Sequence, residues 1–289
     1  MPELPEVETV RRGLAGLIIG KTIVSEWHDT AKGFPNTLAD VDRFLKGATV
    51  TAVRRRAKVL MIDLSTAYSL VIHLKMTGQL VFVGETRFGA GHPNESLVHD
   101  LPDNSTRVTL TFDDGSQLFF NDQRKFGWMR LMPTIEIPNI DFMRKVGPEP
   151  LDSEFRAEAF AARFARRSRT SIKAALLDQS VVAGVGNIYA DESLWGAKVH
   201  PRRLVATLSE QDFFALYTEL RAVMNLAIEK GGSSNHTYVN AEGKKGSYMD
   251  FARVFRREGL PCPRCGTTIE KLRVAGRGTH ICPHCQQLL

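Results

Sequence analysis

The four cysteines of this chain lie close together near its C-terminal end, as two Cys-x-x-Cys pairs. Two pairs at this spacing can present four thiolates to one tetrahedral Zn²⁺ ion. Because four thiolates leave no open coordination position, the predicted zinc is structural. The segment 251–289 is too short for a sufficient apolar core, and zinc supplies the missing folding energy. We therefore predict a zinc finger over 251–289, with one Zn²⁺ held by Cys262, Cys265, Cys282 and Cys285.

The chain is basic, with 38 Lys and Arg against 32 Asp and Glu and a formal charge of +6. The excess is concentrated in segments 163–173 and 251–289, and basic clusters of this kind suit an acidic polymer. The acidic residues of the first turns do not fit a signal peptide, and no apolar run approaches the roughly 20 residues of a membrane span. We expect a cytoplasmic monomer that associates with the nucleoid through DNA and not with a membrane.

The first part of the chain has the pattern of a β-rich domain that follows one helix. Apolar residues at helical spacing predict that helix over 4–18. Alternation and turn residues predict four strands, at 57–64, 69–76, 108–112 and 117–120. Residues 84–105 are predicted to form a long polar loop. We place this first domain at 1–132.

The second part of the chain is predicted to be helical. Four prolines in 133–150 indicate a linker. Beyond it the spacing predicts helices at 152–164, 171–178, 188–195 and 209–230. The helical domain spans 151–250, and its polar, glycine-rich segment 231–248 is predicted to be a mobile loop. The order of domains places the chain in the α+β multidomain class.

A glycine-rich turn, Gly184-Val-Gly-Asn187, precedes one of these helices. Free backbone amides at a helix N-terminus can hold a phosphate, and Asn187 can add a side-chain donor. The cations upstream, among them Arg169 and Lys173, favour a clamp on a nucleic-acid duplex. The alternative is a plain tight turn between two helices, because the third glycine of a dinucleotide fingerprint is missing.

The chain begins with an unusual pair, Pro2 followed by Glu3. Removal of Met1 would make Pro2 a secondary amine with a reference pKa near about 8, so a useful fraction is neutral. Such an amine can attack a sugar C1′ and form an iminium ion, an electron sink for elimination. Glu3 can protonate the opening sugar, and Glu6 can orient the terminus. The alternative is that these acidic residues only complement the helix dipole.

Three specific motifs follow one another along the chain. They are Met-Pro-Glu-Leu-Pro-Glu-Val-Glu-Thr-Val at 1–10, Asp178-Gln179 through Gly184-Val-Gly-Asn-Ile-Tyr-Ala-Asp-Glu192, and the cysteine pairs. Together they resemble the formamidopyrimidine-DNA glycosylase family over almost the whole chain. Leu4 favours this branch over the related endonuclease VIII branch, which usually has glycine there. The resemblance implies an N-terminal β-sandwich with an N-terminal helix, a helix-two-turn-helix domain and a β-hairpin zinc finger.

The resemblance also implies an activity on damaged double-stranded DNA. The family excises 8-oxoguanine and ring-opened purines and then cuts the strand by β- and δ-elimination. By position, Pro2 would be the Schiff-base nucleophile and Glu3 the general acid. Lys58 matches the lysine that assists β-elimination, and Arg277 matches the arginine assigned to the later elimination. Without the resemblance, Lys58 is one more solvated cation on a strand.

Further residues match contacts to DNA. Met76, Arg124 and Phe126 match the three that fill the hole left by an everted base, where an apolar wedge and a guanidinium partly replace the lost stacking. From the residues alone, Met76 and Phe126 could equally belong to a core. Phosphate contacts are implied for His73, Asn187, Arg277, Arg169 and Lys173, and segment 231–248 would cap the lesion.

Several positions depart from the family pattern, at Ala57, Lys75, Ser105, Gln123 and Asn235-His236. Ser105 replaces a histidine that contacts DNA in many members, and Ala57 and Lys75 replace glycines. Two other functions stay open on the residues alone. One is an endonuclease VIII-like glycosylase for oxidised pyrimidines, which would share the mechanism. The other is a non-catalytic zinc-finger protein that binds DNA, which would have no need of Pro2 beside Glu3.

Overall fold

The computed structural model describes residues 1–233 and 247–288. The chain divides into two compact units. The N-terminal unit comprises Met1–Arg144 and Ile228–Tyr248, and the C-terminal unit comprises Lys145–Ala227 and Met249–Leu289. Most of the predicted mobile loop 231–248, with Asn235-His236, lies outside the described residues. The zinc-finger segment shares one unit with the helices, whereas the sequence suggested a separate domain.

The N-terminal unit is a sandwich of two antiparallel sheets with an N-terminal helix, as predicted. Helix α1 is Leu4–Ile18, and the short helix α2 is Leu38–Asp40. The strands are β1 Ile23–His28, β2 Val50–Arg56, β3 Val59–Leu64, β4 Tyr68–His73, β5 Gly78–Val83, β6 Arg87–Gly91, β7 Thr106–Phe112, β8 Gln117–Asp122 and β9 Trp128–Pro133. One sheet has the order β1-β7-β8-β5-β6 and the other β2-β3-β4-β9.

Alternation along the strands explains why the two sheets pack together. In β8, Leu118 and Phe120 enter the main core while Phe119 faces a smaller apolar cluster on the other side of the sheet. Helix α1 adds Val7, Val10, Leu14 and Ile18 to the main core, all at helical spacing and fully buried. Each such side chain contributes about 1.5–3 kcal/mol on burial. This core fixes the start of the chain on the sandwich.

Two predicted irregular segments of this unit contain regular structure. Residues 84–105 include β6, and Phe88 in it packs into the core over Gly13, where an added Cβ would lie 2.0 Å from the ring. Part of the predicted linker forms the helix α3, Asp141–Lys145. Ile137, just before it, packs on Val59 and Val71 of the second sheet. Both segments bury apolar residues. In the sequence these residues stand among many Gly, Pro and charged residues, so no strand or helix pattern is apparent there.

Among the described residues, the C-terminal unit contains four α-helices and one hairpin. The helices are α4 Ala157–Arg163, α5 Ile172–Leu177, α6 Asn187–Gly196 and α7 Glu210–Glu229, and the hairpin strands are β10 Glu270–Val274 and β11 Arg277–Ile281. Helix α4 begins at Ala157 and not at Asp152 as predicted, because the Asp152 carboxylate accepts the Glu154 amide at 2.9 Å and closes a turn there. No helix of the described ranges has the length and apolarity needed to cross a membrane.

Helix α6 is buried on nearly every side and organises this unit. Trp195 near its end packs against Val254, Ile269 and two cysteines of the zinc-finger segment. Arg264 stacks on the Trp195 ring at 3.9 Å and donates hydrogen bonds to the last carbonyls of the helix, at Trp195 and Gly196. A cation at a helix C-terminus is favoured by the helix dipole. These contacts explain why finger and helices form one unit.

Candidate functional site

The predicted site residues fall into both units, and each group is described within its own unit. In the N-terminal unit, Pro2 and Glu3 are buried at the start of α1, with Glu3 only 3% exposed. The Glu6 carboxylate accepts the Glu3 amide at 2.7 Å and the Ser233 amide at 2.8 Å. Glu6 therefore fixes the backbone of the terminus and also the segment that follows α7.

Lys58 lies in the tight turn between β2 and β3 and is 6% exposed. Ala57 before it has φ 52°, a left-handed conformation that favours glycine. Arg55 donates to the Ala57 carbonyl at 3.0 Å and to the Glu8 carboxylate on α1 at 3.1 Å. The turn that carries Lys58 is thus tied to the helix that carries Pro2 and Glu3. Lys58 is not the solvated cation that its sequence context alone suggests.

Glu8 is held as a carboxylate by three guanidinium groups. Arg11 and Arg12 pair with its Oε1 at 2.8 and 2.9 Å, and Arg55 approaches its Oε2 at 3.1 Å. Burial opposes the charge, but the hydrogen bonds from the arginines outweigh it and lower the pKa of Glu8 to about 2. The tether between α1 and the Lys58 turn therefore stays ionised at physiological pH.

His73 ends β4, and its Nδ1 lies 3.0 Å from the Lys75 amide, which donates to it. Burial first, and then the positive charges of Lys75 and Lys58, lower the pKa of His73 to about 3. His73 is therefore neutral at physiological pH, with Nε2 as its protonated nitrogen. In the predicted phosphate contact it would act as a neutral hydrogen-bond donor and not as a cation.

One buried carboxylate organises the loops that carry Met76, Arg124 and Phe126. Asp122, fully buried at the end of β8, accepts the amides of Arg124 at 3.2 Å, Phe126 at 2.9 Å and Gly127 at 2.6 Å. It also accepts the hydroxyl of Thr77, which in turn accepts the Arg124 amide at 3.1 Å. Asp122 and Thr77 therefore join the Met76 turn to the Arg124 loop.

The side chains on these two loops project into solvent. Met76 is 38% exposed and Phe126 is 46% exposed, so neither belongs to the core. The Arg124 guanidinium lies 4.9 Å from the centroid of the Phe126 ring, a cation–π arrangement. An exposed thioether, aromatic ring and guanidinium on loops fixed by one carboxylate form a surface that can enter a base stack.

In the C-terminal unit the four cysteines form one cluster, with all sulfur atoms within 4.8 Å of one another. The Cys265–Cys282 and Cys265–Cys285 separations are both 3.5 Å, and Cys262–Cys285 is 4.0 Å. Tetrahedral zinc with Zn–S bonds of about 2.3 Å requires sulfurs about 3.8 Å apart, so the cluster fits the ion. The backbone amides of Arg264 and Cys285 point at thiolate positions, each at 3.4 Å. The prediction of one structural Zn²⁺ is confirmed.

Asn187 is the first residue of α6 and follows the glycine turn. Its Nδ2 donates to the Gly278 carbonyl on β11 at 3.0 Å. The turn itself is shaped by Gln179, which accepts the Gly184 amide at 2.9 Å and donates to the Val185 carbonyl at 2.8 Å. Gln179 therefore fixes the shape of the turn, and Asn187 lies next to the hairpin that carries Arg277.

Arg277, Arg169 and Lys173 occupy very different surroundings. Arg277 is exposed and is the first residue of β11, directly after a turn in which Ala275 and Gly276 have φ 49° and 77°. Arg169 is exposed before α5. Lys173, in contrast, is fully buried, and its Nζ lies 2.5 Å from the Asp191 carboxylate. In this conformation Lys173 has no surface to offer a phosphate, contrary to what the resemblance implied.

The sequence reasoning missed the roles of Asp122 and Asp191, two of the buried carboxylates that hold backbone segments. Asp122 was visible only as part of the motif around Arg124, and nothing in its spacing signals three bonds from that loop and one from Thr77. Ser105, which replaces a histidine of the family, is buried and donates its hydroxyl to Asp103 at 2.6 Å. A serine so placed does not replace the DNA contact of that histidine.

Three family models match successive parts of the chain. They are the formamidopyrimidine-DNA glycosylase N-terminal domain at residues 1–129, the H2TH domain of the same glycosylase at 146–239, and the zinc finger found in FPG and IleRS at 259–288. Curated relatives match along the whole chain. The formamidopyrimidine-DNA glycosylase of Pediococcus pentosaceus is 41% identical over all of both chains, and that of Streptococcus pneumoniae is 42% identical over 99% of each.

Solved structures agree with the sequence relatives. A Lactococcus lactis Fpg variant in complex with Fapy-dG containing DNA has a TM-score of 0.87 and 36% identity, and it covers 99% of this chain and 100% of its own. MutM (Fpg) of Thermus thermophilus has a TM-score of 0.83 and 38% identity over 99% and 98% of the two chains. Sequence and structure thus agree over the same full length, and the chain belongs to the formamidopyrimidine-DNA glycosylase family.

Proposed function

We propose that this chain is a bifunctional DNA glycosylase and abasic-site lyase that excises oxidised purines from duplex DNA through a Schiff base at Pro2. The observation that carries the proposal is the way in which the N-terminal residues are buried and held in place. Glu6 holds the Glu3 amide, and Pro2 and Glu3 are buried at the head of a helix anchored in the core. A helix that needed only acidic residues for its dipole would not require a buried proline directly before its N-cap residue Glu3.

The first chemical step needs a neutral amine and an acid. After removal of Met1, the Pro2 nitrogen attacks C1′ of the damaged nucleotide and the bond from C1′ to the base breaks. The departing base takes up the proton that the Pro2 nitrogen loses, so the base and the sugar–amine adduct are both neutral. Glu3 gives a proton to the sugar ring oxygen as the ring opens, so the nitrogen lone pair can form the C1′–N double bond. The resulting iminium ion has no N–H proton to lose and stays cationic.

The iminium then drives strand cleavage. Loss of a C2′ proton and departure of the 3′ phosphate constitute β-elimination, and loss of the 5′ phosphate in a second elimination leaves the sugar remnant on Pro2 until water releases it. Lys58 is proposed to assist the first elimination, and the contacts of Arg55 with Glu8 and the Ala57 carbonyl, which tie its turn to α1, support this role. Arg277 is proposed to assist the second, as the family pattern implies.

Met76, Arg124 and Phe126 are proposed to fill the space left by the everted nucleotide. Extrusion costs a few kcal/mol of lost stacking, and the exposed apolar side chains can replace part of it. The Arg124 guanidinium would face the orphaned base. Ala57 and Lys75 replace family glycines but keep a left-handed backbone, with φ 52° and 50°, so both departures preserve the turn geometry.

Borohydride trapping on a duplex with 8-oxoguanine tests this function. A covalent adduct that maps to the N-terminal peptide is expected for the mature chain. A variant that retains Met1 is the control, because acylation turns the Pro2 nitrogen into an amide whose lone pair is delocalised. An adduct at Lys58, or an equal yield with Met1 retained, would show that Pro2 is not the nucleophile.

The same assay separates the alternatives. A non-catalytic DNA-binding protein gives no adduct on any substrate. An endonuclease VIII-like enzyme traps on duplexes with oxidised pyrimidines and not on those with oxidised purines. A panel is needed because one related Lactococcus lactis Fpg structure is a complex with DNA that contains an oxidised pyrimidine. We expect the highest initial rates on 8-oxoguanine and formamidopyrimidines.

A further inference from the structure

The interior of the C-terminal unit contains a cluster of charged and polar groups that the proposed chemistry does not use. Asp191 on α6 is fully buried, and Oδ1 of its carboxylate lies 2.5 Å from Nζ of Lys173 on α5. Its Oδ2 accepts the backbone amide of His280 on β11 at 2.9 Å and lies 3.2 Å from Nδ1 of the same residue. Asp191 thus joins two helices to the zinc-finger hairpin.

We propose that Asp191 is a positioning residue, which acts with Lys173 to fix β11 so that Arg277 is presented in a defined place relative to Asn187. This inference deepens the proposed function, because it rests on Arg277 acting in that reaction. Asp191 itself is buried and is not proposed to touch DNA.

The hydrogen bonds all converge on the strand segment next to Arg277. Lys173 donates to the Thr279 hydroxyl at 2.7 Å and lies 3.3 Å from the Gly278 carbonyl. Asn187 donates to that same carbonyl. Residues 278–280, which follow Arg277 directly, are therefore held by α5 and α6 at three consecutive positions. Zinc fixes the opposite end of β11 through Cys282, and pairing with β10 fixes Arg277 only within the hairpin. The contacts of Asp191, Lys173 and Asn187 fix the hairpin against α5 and α6.

The chemistry of the cluster fits a positioning role better than a stabilising one. Removing two charges from water costs several kcal/mol per ion, and a buried pair often contributes little net stability over apolar residues of similar volume. A buried ion pair can instead specify one geometry, because each lone pair and each proton needs a hydrogen-bond partner in the right place. Here the partners are backbone and side-chain groups of the single strand that begins with Arg277.

Asp191→Asn tests the inference, since it keeps the shape and one acceptor but removes the charge. We expect retained zinc by elemental analysis, and second-elimination product that falls about tenfold or more relative to β-product, because small misplacements of an active group have such effects. Arg277→Ala should shift the product ratio in the same direction. The double variant Asp191→Asn/Arg277→Ala should be no worse than Arg277→Ala alone, since both would remove the same contribution.

A matched control is Asp212→Asn, which removes a carboxylate of the same unit that pairs with Arg203 at 3.0 Å and accepts the Ser209 amide at 2.9 Å. It should lower the melting temperature without a change in product ratio. If Asp191→Asn behaves like this control, Asp191 is merely structural and the inference is wrong. Should Asp191→Asn fail to fold, Thr279→Val removes the bond from Lys173 together with the bond that the same hydroxyl donates to the Arg277 carbonyl. It should shift the ratio less but in the same direction, and an unchanged ratio in Thr279→Val overturns the inference.

Duplex binding by the full chain keeps the inference separate from the proposed chemistry. Asp191→Asn and Arg277→Ala should weaken affinity by the same factor, and each should reduce the slope of log affinity against log salt by about 1. If the wild-type protein gives no borohydride adduct, the proposed function is wrong. The binding results for the two variants still test whether Asp191 positions Arg277. An unchanged salt slope in Asp191→Asn beside a reduced slope in Arg277→Ala would overturn the inference.

Discussion

The two units hold their functional residues by different means. In the N-terminal unit, Pro2, Glu3 and Lys58 are attached to a large apolar core through α1 and the strands of the sandwich. In the C-terminal unit, the hairpin with Arg277 joins an apolar cluster of only a few residues and depends on thiolates and buried hydrogen bonds. Apolar burial is non-directional, whereas metal and charge contacts act only in one geometry. We therefore expect the N-terminal unit to keep Pro2, Glu3 and Lys58 in place after single substitutions, whereas a comparable substitution in the C-terminal unit should displace Arg277.

Each unit also uses one carboxylate to hold a segment that carries a cationic residue. Glu8 binds Arg55 beside the Lys58 turn, and Asp191 binds β11 beside Arg277. Glu8 has three guanidinium partners and some access to solvent, so loss of one contact leaves others. Asp191 is fully buried, and its loss removes the carboxylate that lies 2.5 Å from the Lys173 ammonium in the interior. Equivalent substitutions should therefore be more damaging in the C-terminal unit.

Zinc removal should give the largest difference between the units. With a strong chelator we expect duplex affinity to fall by at least about a hundredfold, because metal binding supplies much of the folding energy of such a finger. The β-sandwich should stay folded, with retained strand signal in circular dichroism. Elemental analysis must show metal-free protein. Unchanged affinity in that protein would mean that the finger holds its shape without zinc.

Asp122→Asn should have the next largest effect, because its carboxylate accepts four bonds from the loops of Met76, Arg124 and Phe126. We expect a loss of about 2–3 kcal/mol in the free energy of unfolding, since a buried charged acceptor loses its strength. Excision of an intact damaged base should fall more than cleavage at a preformed abasic site, which needs less help with eversion. Urea unfolding and single-turnover rates on the two substrates measure these effects.

The control for Asp122 is Asp114→Asn on the exposed hairpin of the same sheet. Asp114 also accepts a backbone amide, that of Ser116 at 3.0 Å. Because it is solvent-exposed, its replacement should destabilise the protein much less than Asp122→Asn and leave both rates unchanged. Equal rate losses in the two variants would show that the Asp122 loop has no part in base eversion.

The success of sequence reasoning differed between local and long-range features. Helix α1 and the zinc ligands were predicted because both depend on spacing within a short segment, and α1 has the predicted bounds. Strand β6 was missed because Phe88 and Ala90 alternate with small and charged residues that resemble a loop. The burial of Lys173 could not be predicted, because its partners Asp191 and Thr279 lie 18 and 106 residues away along the chain.

The residue roles show the same division. Glu6 was predicted to orient the terminus that carries Pro2 and Glu3, and it accepts the Glu3 amide. Asp122 and Asp191, which hold the Arg124 loop and the Arg277 strand, were not identified. Asp191 stands inside a matched motif, and only the fold shows that it faces β11 and not solvent. A sequence match can therefore name groups that act on DNA, whereas the groups that position them depend on contacts between distant elements.

Glu8 gives a smaller effect that depends on pH. Its pKa is lowered in the folded protein to about 2, so its stabilising contribution is present above its unfolded value of 4.5 and is lost as the pH falls towards 2. Glu8→Gln should cost about 2 kcal/mol at pH 7 after allowance for solvent screening. The difference from wild type in chemical unfolding should shrink between pH 4.5 and pH 2. A difference that does not change with pH would mean that Glu8 stabilises the unit by packing alone.

The smallest effect compares one substitution in both units. Ala57 and Ala275 have φ 52° and 49°, each one or two residues before a cationic residue with a proposed role, Lys58 and Arg277. Glycine relieves about 1–2 kcal/mol of backbone strain at such a position but adds about 0.4–1 kcal/mol of entropy to the unfolded chain.

Ala57 is fully buried while Ala275 is exposed, so Ala57→Gly also loses a buried methyl group worth about 0.8 kcal/mol. Ala275→Gly should therefore be more stable than Ala57→Gly by about 1 kcal/mol, as measured by urea unfolding at pH 7. If Ala57→Gly is instead the more stable variant, backbone strain outweighs apolar burial at the turn of the N-terminal unit. The contrast between the two units then does not extend to substitutions of about 1 kcal/mol.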